Sequence, residues 1–325
     1  MAVFLAACEN SSQPKDNAKQ KLRAELLAVP ARNLDSFDFD PESPIAGRTA
    51  MPQFILDYMC DIDDAPEYQA YPPTGNDGRL LAEYLDLLPP GYLPILRERL
   101  LGIYFVDGLT YSGYTDFVVD PDSDSIYCFI VLNAETLDSE MQRWVGHKEN
   151  TCFRDDCEDE IRIALSDAYK GLLYILIHEA SHVIDYINGI TPYTEPDIAT
   201  LRGWQGRHSE FTEGVWADYG KTIPQYEFTY HSDITFYGFR GGPKISDSNA
   251  SEVYEGLAQT PFTSLYGSIN WAEDFAEYMT FYHLTRQLGI SYRIEVIRND
   301  SVIYEYEPFL SPLVAERINN LPDFY

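Results

Sequence analysis

Positive charge is scarce in this chain: 23 Lys and Arg stand against 52 Asp and Glu, giving a formal net charge of −29 and a sequence pI near 4.3. A negative field of that size repels phosphate, which excludes nucleic acid and anionic lipid surfaces as long-range partners. Long apolar runs are also missing, and no stretch approaches the ~18 residues of a membrane span. Internal repeats and low-complexity tracts are absent. Cysteine is sparse, at five residues, and histidine nearly so, at six. At 325 residues and 45% hydrophobic content, the chain can still build one large core or two small ones.

Cys8 apart, the cysteines are Cys60, Cys128, Cys152 and Cys157. An even number allows two disulfides, and the short gap in CFRDDC suits a Cys152–Cys157 loop, which leaves Cys60 with Cys128. Four free thiols are the open alternative. The spacing does not suit a CxxC-type structural zinc site.

Two of the six histidines fall in one apolar stretch, Tyr174 to Asn188, YILIHEASHVIDYIN. His178-Glu179-Ala180-Ser181-His182 matches H-E-x-x-H, and on an α-helix the two imidazoles project from one face a turn apart with Glu179 beside them. Two neutral imidazoles can take adjacent corners of a zinc tetrahedron, and the neighbouring carboxylate can take a proton from water activated by the metal. The apolar run Leu172 to Ile177 marks the helix as buried, so these polar groups need partners; a metal or a set of core hydrogen bonds can supply them.

The third ligand sets the class. Metzincins continue with Gly and His three and six residues after the second histidine; here those positions are Asp185 and Asn188. Another common solution is a glutamate from a downstream helix, and Trp271 to Arg286, WAEDFAEYMTFYHLTR, has helical spacing. Glu273 is assigned as third ligand. Glu277, one turn on, is assigned as an outer carboxylate accepting a hydrogen bond from a liganding imidazole, with a solvated surface charge as the alternative. Asp185, on the histidine face, is a competing ligand or an orienting group.

HEASH followed by E-D-F-A-E resembles the gluzincin zinc metallopeptidases and is most similar to the anthrax lethal factor-like group. In that group a tyrosine seven residues before the glutamate ligand faces the metal, and Tyr266 stands at that spacing. By this resemblance Tyr266 hydrogen-bonds the oxyanion of the tetrahedral intermediate. The stretch LLPPGYLPILRERLLGIYFVDG is similar to the helix-then-strand segment ahead of the active-site helix. The likeness spans residues 80–309, but only the two metal motifs are specific.

Leu5-Ala6-Ala7-Cys8 resembles the lipobox of bacterial lipoproteins, with Cys8 as the acylated residue and the start of the export signal expected upstream. Lipobox and motif together resemble the substrate import-associated zinc metallohydrolase lipoproteins. That likeness implies export to the outer membrane or cell surface, contact with the membrane only through the lipid anchor, and outer-membrane nutrient-import proteins as partners.

Residues 1–8 are thus read as a partial lipoprotein signal, 9–52 as a tether and acidic linker, with a short helix over Ala18 to Leu27 and Pro30 to Pro52 as an extended linker or a strap lying on the domain, and 53–325 as the catalytic domain. Helical spacing covers Asp77 to Leu88 and Leu93 to Leu100; Ile103 to Val106, Thr115 to Val119 and Ser125 to Leu132 read as strands. Ile126 to Leu132, the last strand before the HExxH helix, is expected to be the edge strand that walls the cleft and pairs with substrate. Between the metal helices, Trp204, Tyr226, Tyr230, Phe236 and Tyr237 are candidates to line the site, each with core packing as the blander alternative. His208, His231 and His283 read as structural or surface residues. Tyr292 to Ile297 and Val302 to Tyr306 alternate across Asn299-Asp300 as a hairpin, and Pro312 to Ile318 as a last helix.

The expected fold is α+β, zincin-like, with a small mixed sheet and two metal-binding helices around one Zn2+. The expected function is a zinc-dependent metalloendopeptidase acting on peptide or protein. The alternative is a non-catalytic lipoprotein that binds peptide or glycan for an import system.

Overall fold

The computed structural model describes residues 13–157, 159–193, 196–203 and 208–321; Cys8 and Trp204 lie outside them. The fold is α+β, with helices packed on both faces of one small sheet. That sheet is built from Gln69–Tyr71 (β1), Leu100–Asp107 (β2), Gly113–Val119 (β3) and Ile126–Asn133 (β4), in the order β1-β2-β4-β3. β2 and β4 run parallel, and the other pairings are antiparallel. Side chains alternate between two cores. Ile103, Phe105, Cys128, Ile130 and Leu132 join the main core with the HExxH helix. Tyr104, Val106, Phe129 and Val131 pack on the other side against Ile55 and Met59. Because both faces are covered, these strands read as continuous apolar runs.

The edge-strand expectation needs correction. β4 is interior, and a hairpin register running from Gly113↔Leu132 to Val119↔Ile126 carries β3 to the edge. The last strand before the helix in sequence is therefore not the last in the sheet, and β3 walls the cleft.

Of the two forms expected for the amino-terminal stretch, linker or strap, it takes the strap. Gln13–Leu27 is helical, and the stretch after it lies on the second core, where Ala31 is buried and Phe37 packs. Arg32 forms an ion pair with buried Asp116, and the Arg48 guanidinium donates to the carbonyls of Arg97 (3.0 Å) and Leu100 (2.7 Å). A buried carboxylate such as Asp116 needs its cation, so this strap is integral to the fold. Folded structure thus begins well before Phe54.

All four described cysteines are free, so neither disulfide forms. Cys128 belongs to the main core and Cys60 to the opposite one, which keeps that pair on different faces of the sheet. Among the described residues no helix is long and apolar enough to cross a membrane.

The hairpin at Asn299-Asp300 is present: Arg293–Arg298 pairs antiparallel with Ser301–Tyr306, and both turn residues have positive φ, 51° and 58°. Arg293–Arg298 also pairs with Asp159–Ala164, completing a three-stranded sheet. The carboxy-terminal helix is short, Pro312–Ala315, and continues as a 3₁₀ turn to Asn320.

Candidate metal centre

Two helices meet at the site. The first, Gly171–Asn188, is buried from Gly171 to Ser181, which follows from its apolar residues lying almost all round. It ends where Gly189 adopts φ 63°, a left-handed cap that favours glycine. Asp185 finishes the same end: its carboxylate accepts from the Thr191 backbone N–H (2.7 Å) and from the Thr191 hydroxyl. With both oxygens engaged there, Asp185 lines the cavity but is not in the metal-ligand grouping.

The second helix, Trp271–Tyr282, is started by Asn270, whose side chain accepts from the N–H groups of Ala272 and Glu273, both at 3.0 Å. Asp274 then anchors its first turn, accepting from Trp216 Nε1 (2.8 Å) and pairing with buried Arg317.

These anchors bring Glu273 to the histidines. Its Oε2 lies 3.1 Å from His178 Nε2 and 3.5 Å from His182 Nε2. One donor atom from each of the three residues falls within 4.8 Å of the others, a grouping that could hold a metal ion. Comparisons with family models, curated proteins and solved structures return no match for this chain. What the site can do therefore rests on its own chemistry.

The donor set fits a divalent cation. Burial alone would pull the His178 pKa down, yet Glu273 and Glu277 on its two nitrogens hold it up at about 10. Burial likewise opposes ionisation of Glu273, but the two imidazoles keep its carboxyl well below the usual range. Two carboxylates against one imidazole make a place suited to positive charge, and a metal bound there displaces any proton on the ligand nitrogens.

Glu277 stands behind His178. Its Oε1 is 3.0 Å from His178 Nδ1, although the contact is too bent to be a good hydrogen bond. The same carboxylate accepts from the hydroxyls of Tyr174 and Ser264 and forms an ion pair with buried Lys148 at 3.2 Å. Burial raises its pKa, but Lys148 and His178 outweigh that and bring it to about 2.

Glu179, 3% exposed, points toward β3, where the Thr115 hydroxyl donates to its Oε2 at 2.7 Å. Burial pushes its carboxyl up. Gly113 leaves the room it needs: a Cβ there would stand 2.8 Å from Glu179 Oε1 and 3.0 Å from Ile175 Cγ1. Tyr266 lines the same cavity, its ring 5.9 Å from that of His178 and 4.4 Å from the Lys148 ammonium. Burial raises its pKa well above 10, so it remains a phenol and a hydrogen-bond donor.

The cavity, about 370 Å³, is rich in tyrosine. Of the expected aromatic lining only Tyr237 borders it; Phe236 packs behind Tyr266 at 5.0 Å, and Tyr226 and Tyr230 lie elsewhere. Tyr111, Tyr114, Tyr174, Tyr186, Tyr193 and Tyr219 line it as well, with Phe239 49% exposed at the rim. Asp63, whose Oδ2 accepts from Tyr68 (3.0 Å) and Tyr111 (2.7 Å), is a further acid in the wall. His231 and His283 bond the carbonyls of Ser268 (2.8 Å) and Leu87 (2.6 Å), and neither borders the cavity. His208 is exposed.

Proposed function

We propose that the chain is a zinc-dependent metalloendopeptidase, a gluzincin-type hydrolase on a zincin-like domain. The observation that carries this reading is the convergence of both imidazole Nε2 atoms on Glu273, a carboxylate 95 residues away from His178. His178, His182 and Glu273 would hold the ion, and two imidazoles with one carboxylate are a donor set that zinc favours. A bound Zn2+ supplies Lewis acidity that acidifies water and polarises the scissile carbonyl.

Glu179 then acts as general base, taking a proton from the attacking water and passing it to the leaving amine; its raised pKa suits both halves of that transfer. Tyr266 donates its phenolic hydrogen to the developing oxyanion. Thr115 fixes the rotamer of Glu179, while Glu277 orients His178 and is itself held by Lys148. The Gly113–Thr115 end of the outer edge of β3 offers backbone hydrogen bonds to an extended peptide, whereas the far end is taken by the strap, through the Asn33↔Val119 bridge and the Arg32 bond to the Phe117 carbonyl. The proposal extends to location: the Leu5-Ala6-Ala7-Cys8 stretch supports a lipid-anchored form at the outer membrane or cell surface, beside nutrient-import proteins.

The test is digestion of a mixed peptide library by zinc-loaded protein, wild type against Glu179→Gln. Cleavage by wild type alone, at equal zinc content, is expected. If both bind zinc and neither cuts, the non-catalytic binding protein is the better reading. Equal cutting by both forms removes Glu179 as the base.

A further inference from the structure

A second cluster of ligand-type side chains lies apart from the histidines and shares no residue with them. Two short strands, Phe153–Arg154 and Ile245–Ser246, pair in parallel and bring the turn after each against the other. There one oxygen of Asp156, the Cys157 thiol and one oxygen of Asp247 lie within 4.8 Å of one another.

Acidic side chains near a surface thiol are ordinarily unremarkable; Asp247 is not. It is only 2% exposed. Its Oδ2 accepts from the Cys157 backbone N–H at 3.1 Å, while its Oδ1 is buried without a hydrogen-bond partner among the described residues. A buried oxygen left in that state costs about 1–3 kcal/mol. The Arg298 guanidinium acts on it through space, but donates its hydrogen bonds to Asp159. Asp156 has partners of its own, the Ser246 hydroxyl on Oδ1 and Arg154 Nε 3.2 Å from Oδ2. The adjoining cavity, about 280 Å³, adds Asp155, Asp159 and Glu160, of which Asp159 is already paired with Arg298 at 2.6 Å.

We propose that Asp156, Cys157 and Asp247 form a second, structural site for a borderline divalent cation of the zinc class. Calcium is the poorer fit, because it takes six to eight oxygens and the cluster offers two carboxylates and a thiol. Zinc accepts both sulfur and carboxylate donors. On binding, the Cys157 S–H gives its proton to solvent, a metal–sulfur bond forms, and Asp247 Oδ1 gains the partner it lacks. The ion staples the segment that follows the Lys148 helix, Met141–Asn150, to the segment that enters helix Ala250–Leu257.

Cobalt(II) titration of the metal-free full-length chain separates this site from the first one. His178, His182 and Glu273 offer only nitrogen and oxygen, so a thiolate-to-cobalt charge-transfer band in the near ultraviolet reports the second site alone. Wild type is expected to bind two equivalents and to show that band. Cys157→Ser should lose the band and one equivalent, with an unchanged far-ultraviolet circular dichroism spectrum because the residue is exposed. Asp247→Asn should keep the band but need at least about tenfold more cobalt to reach it. His182→Ala should keep the band at the wild-type midpoint. Absence of the band in wild type at saturating cobalt, or a band that survives Cys157→Ser, would each overturn the site.

Discussion

Gly113→Ala is a perturbation whose effect can be worked from distances. The new Cβ would meet Glu179 Oε1 at 2.8 Å, Glu179 Cγ at 3.0 Å and Ile175 Cγ1 at 3.0 Å. Comfortable carbon contacts are about 3.5–4.0 Å, so something must move by roughly half an ångström to an ångström. Ile175 and Glu179 are both buried, but the Glu179 carboxylate is the far end of a flexible side chain beside the cavity, so it is the group that yields. Its yielding breaks the 2.7 Å bond from Thr115 and displaces the proposed base. Displacements of that size cost up to about 100-fold in rate, whereas overpacking costs about 1–3 kcal/mol of stability. The expected result is kcat/KM for peptide cleavage about 100-fold lower, with full zinc content and a folded chain. Thr115→Val keeps the space and removes only the donor. Losing a hydrogen bond to a charged group costs about 1.5–3 kcal/mol, so its rate should fall about 10- to 100-fold. Wild-type kcat/KM in Gly113→Ala, or a loss that tracks missing zinc, would refute the reasoning.

Glu277→Gln and Lys148→Met should each weaken zinc binding about 10- to 100-fold in chelator competition, since both act through the orientation of His178; unchanged affinity would disconnect them from the site. Arg317→Met leaves Asp274 as an uncompensated buried charge and should lower unfolding free energy by about 3–5 kcal/mol in urea titration. Burial pushes the Glu149 carboxyl up from an ordinary 4.5 to about 7. Between those values the folded chain keeps a proton that the unfolded chain releases. Its stabilisation is therefore complete below about pH 4.5, declines by about 1.4 kcal/mol per unit, and is gone above about pH 7. Urea midpoints across that range should fall less steeply for Glu149→Gln than for wild type.

The parts of the site that sit on one helix were legible from spacing. His178, Glu179 and His182 share a face by the 3.6-residue period, and Glu273 and Glu277 follow the same rule on a helix opened by Asn270. Asn299-Asp300 announced its hairpin because a two-residue turn demands residues that tolerate positive φ. What escaped is what comes from other elements. Lys148, Ser264, Thr115 and Gly113 reach the site from a helix, a loop and an edge strand, and no periodicity links them to the histidines. Lys148 at helical spacing from Met141, Trp144 and Val145 was the available hint. Strand order escaped because β4 pairs on both sides, and an apolar run says only that both faces are covered. Asp185, on the histidine face, stays out of the ligand grouping because Thr191, just past the helix end, engages both of its oxygens.

Location of the metal by anomalous scattering at the zinc edge, in crystals of zinc-loaded protein, tests the central claim most directly. The account expects a strong peak between His178 Nε2, His182 Nε2 and the Glu273 carboxylate. No peak there under saturating zinc, or a peak that draws on Asp185 in place of Glu273, would contradict it.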